Sequence, residues 1–257
     1  MLFFVGSGGG RFAMITQTRR TGGFRLETEE VSIHFDPGPG ALLATRLAGR
    51  STTAVDAVVV SHAHPDHYTE AEVVVEAMTR GGIKNRGYFV GSASAVEGYK
   101  GEEGSFGPVL SDYHRSLPEA TVALEPGDTF TIGDVTLEAT PTVHGDPTGV
   151  GFRVELEDDL LYYTSDTELR GFVIDAAEDA TILVANVTRP GSDRIRGHLC
   201  TSDLVEVVKE ARDLRKVFMT HFGMKMIKRG PGREANSVQK RTGVTTVAAR
   251  DGHVYDL

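Results

Sequence analysis

Ala57-Val58-Val59-Val60-Ser61-His62-Ala63-His64-Pro65-Asp66-His67-Tyr68-Thr69-Glu70 is an apolar run that ends in three imidazoles and a carboxylate within six positions. A buried strand holds its end rigidly, so the turn after it can splay several side chains around one point. Neutral imidazole and carboxylate suit zinc and other first-row divalent metals. A core needs no such cluster, because polar groups beside a hydrophobic strand must find partners or bear the cost of lost hydration. The bland alternative is a chance surface cluster of histidines, and the adjoining buried strand argues against it. The segment reads as a metal site.

Four more residues stand alone at the ends of apolar, extended stretches. Asp36 closes Val31-Ser32-Ile33-His34-Phe35-Asp36, and His144 lies in Pro141-Thr142-Val143-His144-Gly145-Asp146. Asp166 follows Leu161-Tyr162-Tyr163-Thr164-Ser165, and His221 closes Val217-Phe218-Met219-Thr220-His221. With the spacing His-x-His-x-Asp-His, this ordered set resembles the signature of the metallo-β-lactamase superfamily. The resemblance spans nearly the whole chain. It implies an α/β fold, the four-layer αβ/βα sandwich of two mixed sheets flanked by helices, with metal at one sheet edge. Periodicity alone reaches only α/β: strands and helices interleave along the entire length.

Composition agrees with an ordinary folded domain. A chain of 257 residues buries a large core and fits one domain, 1–257, better than two small ones. No stretch approaches the roughly 20 apolar residues of a membrane span, and Met1-Leu2-Phe3-Phe4-Val5-Gly6 lacks the basic flank and length of a signal peptide. The single cysteine, Cys200, excludes an internal disulfide. These features lead us to expect a cytoplasmic protein with no membrane partner. The formal charge of −9 argues against coating nucleic acid, although two bound divalent ions would make a local phosphate site.

Local patterns place the other elements. Phe24, Leu26 and Thr28, then Val31, Ile33 and Phe35, alternate as an early β-hairpin. Thr69-Glu70-Ala71-Glu72 has the form of a capping box opening a helix that stops at Gly81-Gly82. Val150, Phe152, Val154 and Leu156 form one strand face, and residues 203–212 carry helical spacing.

The resemblance also implies ligand roles. His62, His64 and His144 would hold one metal, Asp66, His67 and His221 a second. Asp166 would bridge them, together with a water or hydroxide, and catalysis would depend on Asp66 as well as on the bridge. Asp36 would accept an imidazole N–H from behind the ligands. Zinc is the default ion from ligand type; manganese and iron bind comparable sites. A carboxylate at position 166, where several β-lactamases carry cysteine, points away from antibiotic cleavage.

Three further segments resemble the ribonuclease Z and cyclic phosphodiesterase branch. Gly6-Ser7-Gly8-Gly9-Gly10, with Arg19, Arg20, Thr21, Gly22 and Gly23, resembles its N-terminal segment. The plain alternative is a tight turn and an arginine-bearing hairpin. His198-Leu199-Cys200-Thr201 resembles the His-x-Thr element, which implies that His198 is catalytic, stabilising oxyanion charge or protonating the leaving oxygen. Otherwise Thr201 caps a helix and His198 is an ordinary loop residue. Tyr163-Thr164-Ser165-Asp166-Thr167 matches the Asp-Thr loop. The long tRNA-gripping arm of ribonuclease Z has no counterpart, since only residues 145–165 separate His144 from Asp166.

The expectation is therefore a dinuclear metal-dependent hydrolase cleaving a small or cyclic phosphodiester through a metal-bridging hydroxide. Its partner would be a small anionic substrate, with nucleic acid not favoured; a homodimer is common among such relatives. Arg19, Arg20, His114 and Lys225 are the substrate contacts to test, although solvated loops account for His114 and Lys225 equally simply. The rival is a thioester or lactone hydrolase of the glyoxalase II or lactonase type. Glyoxalase II commonly continues the signature with Gly-Gly, where Tyr68-Thr69 stands here. A catalytically silent metal-binding scaffold is the non-enzymatic alternative.

Overall fold

Residues 1–257 are described by a computed structural model. The apolar run forms strand Ala57–Val60, parallel to Ser32–Phe35 on one side and Tyr88–Ser92 on the other. Ala57 and Val59 enter the core between two sheets, whereas Val58 and Val60 pack with Val74, Val75 and Met78 of helix Ala71–Met78. Burial on both faces explains why the run is uniformly apolar instead of alternating.

The first sheet has seven strands in the order His253–Tyr255, Leu2–Phe4, Phe24–Glu27, Ser32–Phe35, Ala57–Val60, Tyr88–Ser92, Ala120–Leu124. The second runs Thr245–Ala248, Lys216–Thr220, Ile182–Arg189, Leu160–Tyr163, Val150–Glu155, Val135–Pro141, Thr129–Ile132, with Leu199–Cys200 pairing beside Ile182–Arg189. Phe4, Phe24 and Phe35 from the first sheet meet Phe152, Tyr163 and Phe218 from the second. Phe24 stacks on Phe35 at 4.8 Å and receives the Tyr163 ring edge-on at 5.0 Å, an arrangement that suits the aromatic quadrupole. Helices Gly171–Ala177, Thr201–Glu210 and Pro231–Thr242 cover the outer face of the second sheet. The result is the expected four-layer sandwich.

The early hairpin forms as its alternation predicts, with Leu26 opposite Ile33. The capping box does not. Glu70 itself is the N-cap residue and its carboxylate is drawn away to the backbone N–H groups of Gly40 and Leu42, 2.6 and 2.8 Å distant. Thr69 bonds back to the Pro65 carbonyl, and Glu72 accepts from Ser111 N. Tertiary partners thus outcompete the local motif, and the helix ends at Met78, before Gly81. The later helix starts two residues earlier than its spacing suggests, with Cys200 as N-cap and Asp203 accepting from the Cys200 N–H. Thr201 does not cap; its hydroxyl donates to Glu234. Residues 145–165 contain the Val150–Glu155 and Leu160–Tyr163 strands and their turns, so no arm is inserted there. No helix is long and apolar enough to cross a membrane.

Candidate metal centre

The parallel strands of both sheets deliver their carboxyl ends to one place. Asp36 follows Ser32–Phe35, His62 follows Ala57–Val60, Asp166 follows Leu160–Tyr163 and His221 follows Lys216–Thr220. Asp36, Ser165 and His221 have φ of 51°, 52° and 58°. This left-handed conformation costs a side-chain-bearing residue roughly 1–2 kcal/mol, and here it turns each chain sharply off its strand. Pro65–Tyr68 is a single helical turn with proline at its start, which sets Asp66 and His67 beside His62 and the extended His64.

Donor atoms converge in overlapping groups: His62, His64 and His144; Asp66, His67 and His221; and Asp166 with His62 and His67 or with His144 and His198. Asp166 Oδ2 lies at the middle, 3.2 Å from His221 Nε2, 3.4 Å from His67 Nε2, 3.5 Å from His198 Nδ1 and 3.7 Å from His144 Nε2. Its Oδ1 is held by Asn186 Nδ2 at 2.8 Å.

The outer nitrogens are anchored. His67 Nδ1 donates to Asp36 Oδ2 at 2.8 Å, and His144 Nδ1 to the Gly197 carbonyl at 2.8 Å. Each ring thereby turns its other nitrogen inward, where Nε2 of His67 faces His221 Nε2 at 3.1 Å and Nε2 of His144 faces His64 Nδ1 at 2.9 Å, so that a bound ion would find both as ligands. His62 Nε2 is buried with no hydrogen-bond partner at all. Converging lone pairs and an orphaned imidazole nitrogen fit a cation and little else.

Charge points the same way. Burial works against protonation of His67, yet Asp66, Asp36 and Asp166 together hold it well above the usual histidine range. Such a cluster of buried carboxylates calls for positive charge, which divalent ions supply. Burial, reinforced by its imidazole neighbours, pushes His62 well below its ordinary value and His64 down to about 4. Both are therefore neutral and able to ligate at physiological pH. Burial likewise takes His198 down to about 4.

Other sequence-derived residues separate into those at the centre and those beyond it. His198 belongs to it. Asp36 backs it, accepting from Ser61 N at 2.7 Å, Ser61 Oγ at 2.7 Å and Tyr163 Oη at 2.6 Å besides His67. Arg19 instead bonds Ser7 Oγ at 3.0 Å and lies over the Phe222 ring, and Arg20 gives its backbone N–H to Asp251. Lys225 pairs with Asp193 at 2.9 Å. His114 is held by Glu72 and Glu76 of helix Ala71–Met78, at 3.1 and 3.3 Å. Cys200 is buried and packed.

Several supporting residues escape a reading of the sequence. Gly9 lies so close to His221 that a Cβ would overlap the imidazole, and Gly10 N donates to Asp66 Oδ2 at 2.6 Å. The glycine run signals close backbone approach, but not to which partner. Thr188 Oγ1 sits between His221 Nδ1 at 2.9 Å and His198 Nδ1 at 3.2 Å. Buried Asp146 accepts from Ala63 N at 2.9 Å, tying the His144 loop to the His-x-His turn. Phe106, on an isolated hairpin, Tyr99–Gly101 with Gly104–Phe106, approaches the His64 ring at 5.8 Å.

The beta-lactamase superfamily domain matches residues 32–222, which include all the converging donors. The protein belongs to this superfamily. This β-lactamase-superfamily chain is 42% identical to the uncharacterized protein MJ1374 of Methanocaldococcus jannaschii over 257 residues, covering 100% of the chain and 94% of the relative. It is 28% identical to ribonuclease Z of Thermobifida fusca over 196 residues, 70% of the chain and 59% of that enzyme. Among solved structures it resembles the metallo-β-lactamase fold protein YhfI of Bacillus subtilis, with a TM-score of 0.78 at 19% identity, covering 99% and 97% of the two chains. The superfamily chain is accordingly a metal-binding hydrolase by fold and donor set.

Proposed function

We propose that the protein is a dinuclear metal-dependent phosphodiesterase acting on a small or cyclic anionic phosphodiester. The observation that carries this reading is the convergence of two donor triads on Asp166 with His198 at their edge. Similarity to ribonuclease Z over 70% of the chain supports the reaction class. The short 145–165 connection, without an arm, supports a substrate smaller than tRNA. His62, His64 and His144 would hold one ion and Asp66, His67 and His221 the other, zinc by default, with Asp166 shared. Bound there, such ions supply the Lewis acidity that makes water nucleophilic near neutral pH and the charge that offsets phosphoryl oxygens.

The protein's own contribution follows from its hydrogen bonds. His221 points Nε2 at Asp66 and Asp166; as a metal ligand it would give the Nε2 lone pair to the ion, which would leave the proton on Nδ1 to donate to Thr188 Oγ1. The Thr188 hydroxyl then has its own hydrogen for His198 Nδ1. A neutral His198 consequently keeps its proton on Nε2, free to hydrogen-bond to oxygen as negative charge develops there. Asn186 and Gly10 N fix Asp166 and Asp66, so neither carboxylate has to reorganise during the reaction.

Turnover of the metal-reconstituted protein on matched phosphodiester, thioester and lactone probes tests the proposal. Hydrolysis of the phosphodiester with the other two inert supports it. Thioester or lactone turnover with the phosphodiester inert overturns it.

A further inference from the structure

A cavity of about 430 Å³ opens beside the centre, with His198 in its wall alongside Glu168, Arg170, Arg194, Arg196 and Glu206. Most of these charges are already matched. Arg170 Nη2 donates to Glu168 Oε2 at 2.6 Å, and Arg194 Nε to the buried Asp203 at 2.7 Å. Glu206 adds its field to Arg194. Arg196 is exposed and, unlike the other two, pairs with no carboxylate.

The backbone carrying Arg196 is fixed to the centre. Ile195 and His198 form a β-bridge around it. Gly197 N donates to Glu168 Oε1 at 2.9 Å, and the Gly197 carbonyl accepts from His144 Nδ1 at 2.8 Å. Gly197 has φ of 78°, and a Cβ there would press on the His144 ring, so this turn has little freedom to shift. A guanidinium is thereby presented two residues from His198, in the wall of the same cavity, with its planar fork of donors unused. That fork matches a carboxylate or phosphate oxygen pair.

We propose that Arg196 binds an anionic group on the non-reacting arm of the substrate. The preferred substrate is then a phosphodiester that carries a second negative charge, as a carboxylate or a terminal phosphate. This rests on the phosphodiester reading above and deepens it. The chain as a whole is acidic, with a formal charge of −9, so an unmatched cation at this place favours one substrate over another rather than attracting anions broadly.

The test uses two 4-nitrophenyl phosphodiesters whose second ester arm is either methyl or 2-carboxyethyl, with metal-reconstituted wild type, R196Q and R196K. A charge-assisted hydrogen bond corresponds to roughly tenfold or more in binding, so wild type should show a KM about tenfold lower for the carboxyethyl ester. R196Q should bring the two KM values together, and R196K should restore part of the difference. Equal KM values in wild type, or a preference that survives in R196Q, would overturn the proposal. Failure of wild type to hydrolyse either ester would instead remove the phosphodiester reading, and this inference with it. A terminal phosphate in place of the carboxylate then tells which oxyanion binds more tightly, the larger R196Q effect marking the one recognised.

Discussion

The Tyr163 hydroxyl donates to Asp36 Oδ2 at 2.6 Å, joining the end of one sheet to the end of the other behind the metal centre. Burial and the adjoining Asp36 carboxylate push the Tyr163 hydroxyl well above its usual pKa, so it remains a neutral donor. The same oxygen of Asp36 orients His67. Asp36→Asn should lower metal affinity by about 10–100-fold, the usual cost of removing a residue that orients a ligand. Tyr163→Phe leaves the Ser61 and His67 bonds in place; it should cost about 1–2 kcal/mol of stability with a much smaller loss of affinity. Metal titration and urea unfolding of both variants separate the two effects.

Thr188 links His221 to His198 through one hydroxyl. Thr188→Val keeps the shape but removes the proton that fixes the His198 tautomer. Its kcat on a phosphodiester should fall at least about tenfold, because a misdirected imidazole no longer donates to the developing oxyanion, while Thr188→Ser retains most activity. Equal rates for wild type and Thr188→Val would sink the relay.

Gly9 is the place where the glycine-rich segment touches the chemistry. Alanine there must displace the His221 imidazole, because its Cβ overlaps the ring. Gly9→Ala should therefore reduce bound metal and lose at least about a hundredfold in kcat/KM, in line with the effect of small misplacements at reacting centres. Gly232→Ala, in a helix with open space around the new methyl group, is the matched control. Metal content and rates on the same samples decide.

What could be read in advance follows from how locally each feature is encoded. His62, His64, Asp66 and His67 fall within one turn after an apolar strand, so their spacing alone exposes them. His144, Asp166 and His221 are single residues, recognisable because each ends a strand and they keep the order of a known superfamily. Asn186, Thr188 and Tyr163 carry no such sign. They lie within or at the ends of buried strands, where a polar residue has several explanations; strand pairing inside the second sheet brings Asn186 to Asp166 and Thr188 to His198, and only the packing of the two sheets brings Tyr163 to Asp36. The capping box failed for the same physical reason, since Glu70 found stronger partners across space in Gly40 and Leu42. Arg196 escaped notice because an arginine in a polar loop is unremarkable until its neighbours prove to be paired and it does not.

Acid stability offers a separate check on the core. His34 is fully buried, its Nε2 donating to the Gly22 carbonyl at 2.7 Å while Nδ1 accepts from Arg25 Nε at 3.4 Å. Burial, assisted by the Arg25 charge, lowers it to about 3 from its ordinary 6.5. Below pH 6.5 the unfolded chain binds a proton that the native state refuses, so stability falls as the pH drops toward about 3. At pH 5 this amounts to about 2 kcal/mol relative to pH 8. His34→Gln removes the titration, so the stability gap between wild type and variant should change by about that amount between the two pH values. A gap independent of pH would contradict the assignment.

The most direct measurement compares wild type and His198→Ala on a simple phosphodiester, with metal content determined on the same samples. Two ions per chain in both proteins, and a loss of at least about tenfold in rate for the variant, is the predicted result. An unchanged rate, or a single ion per chain in active wild type, would contradict the account.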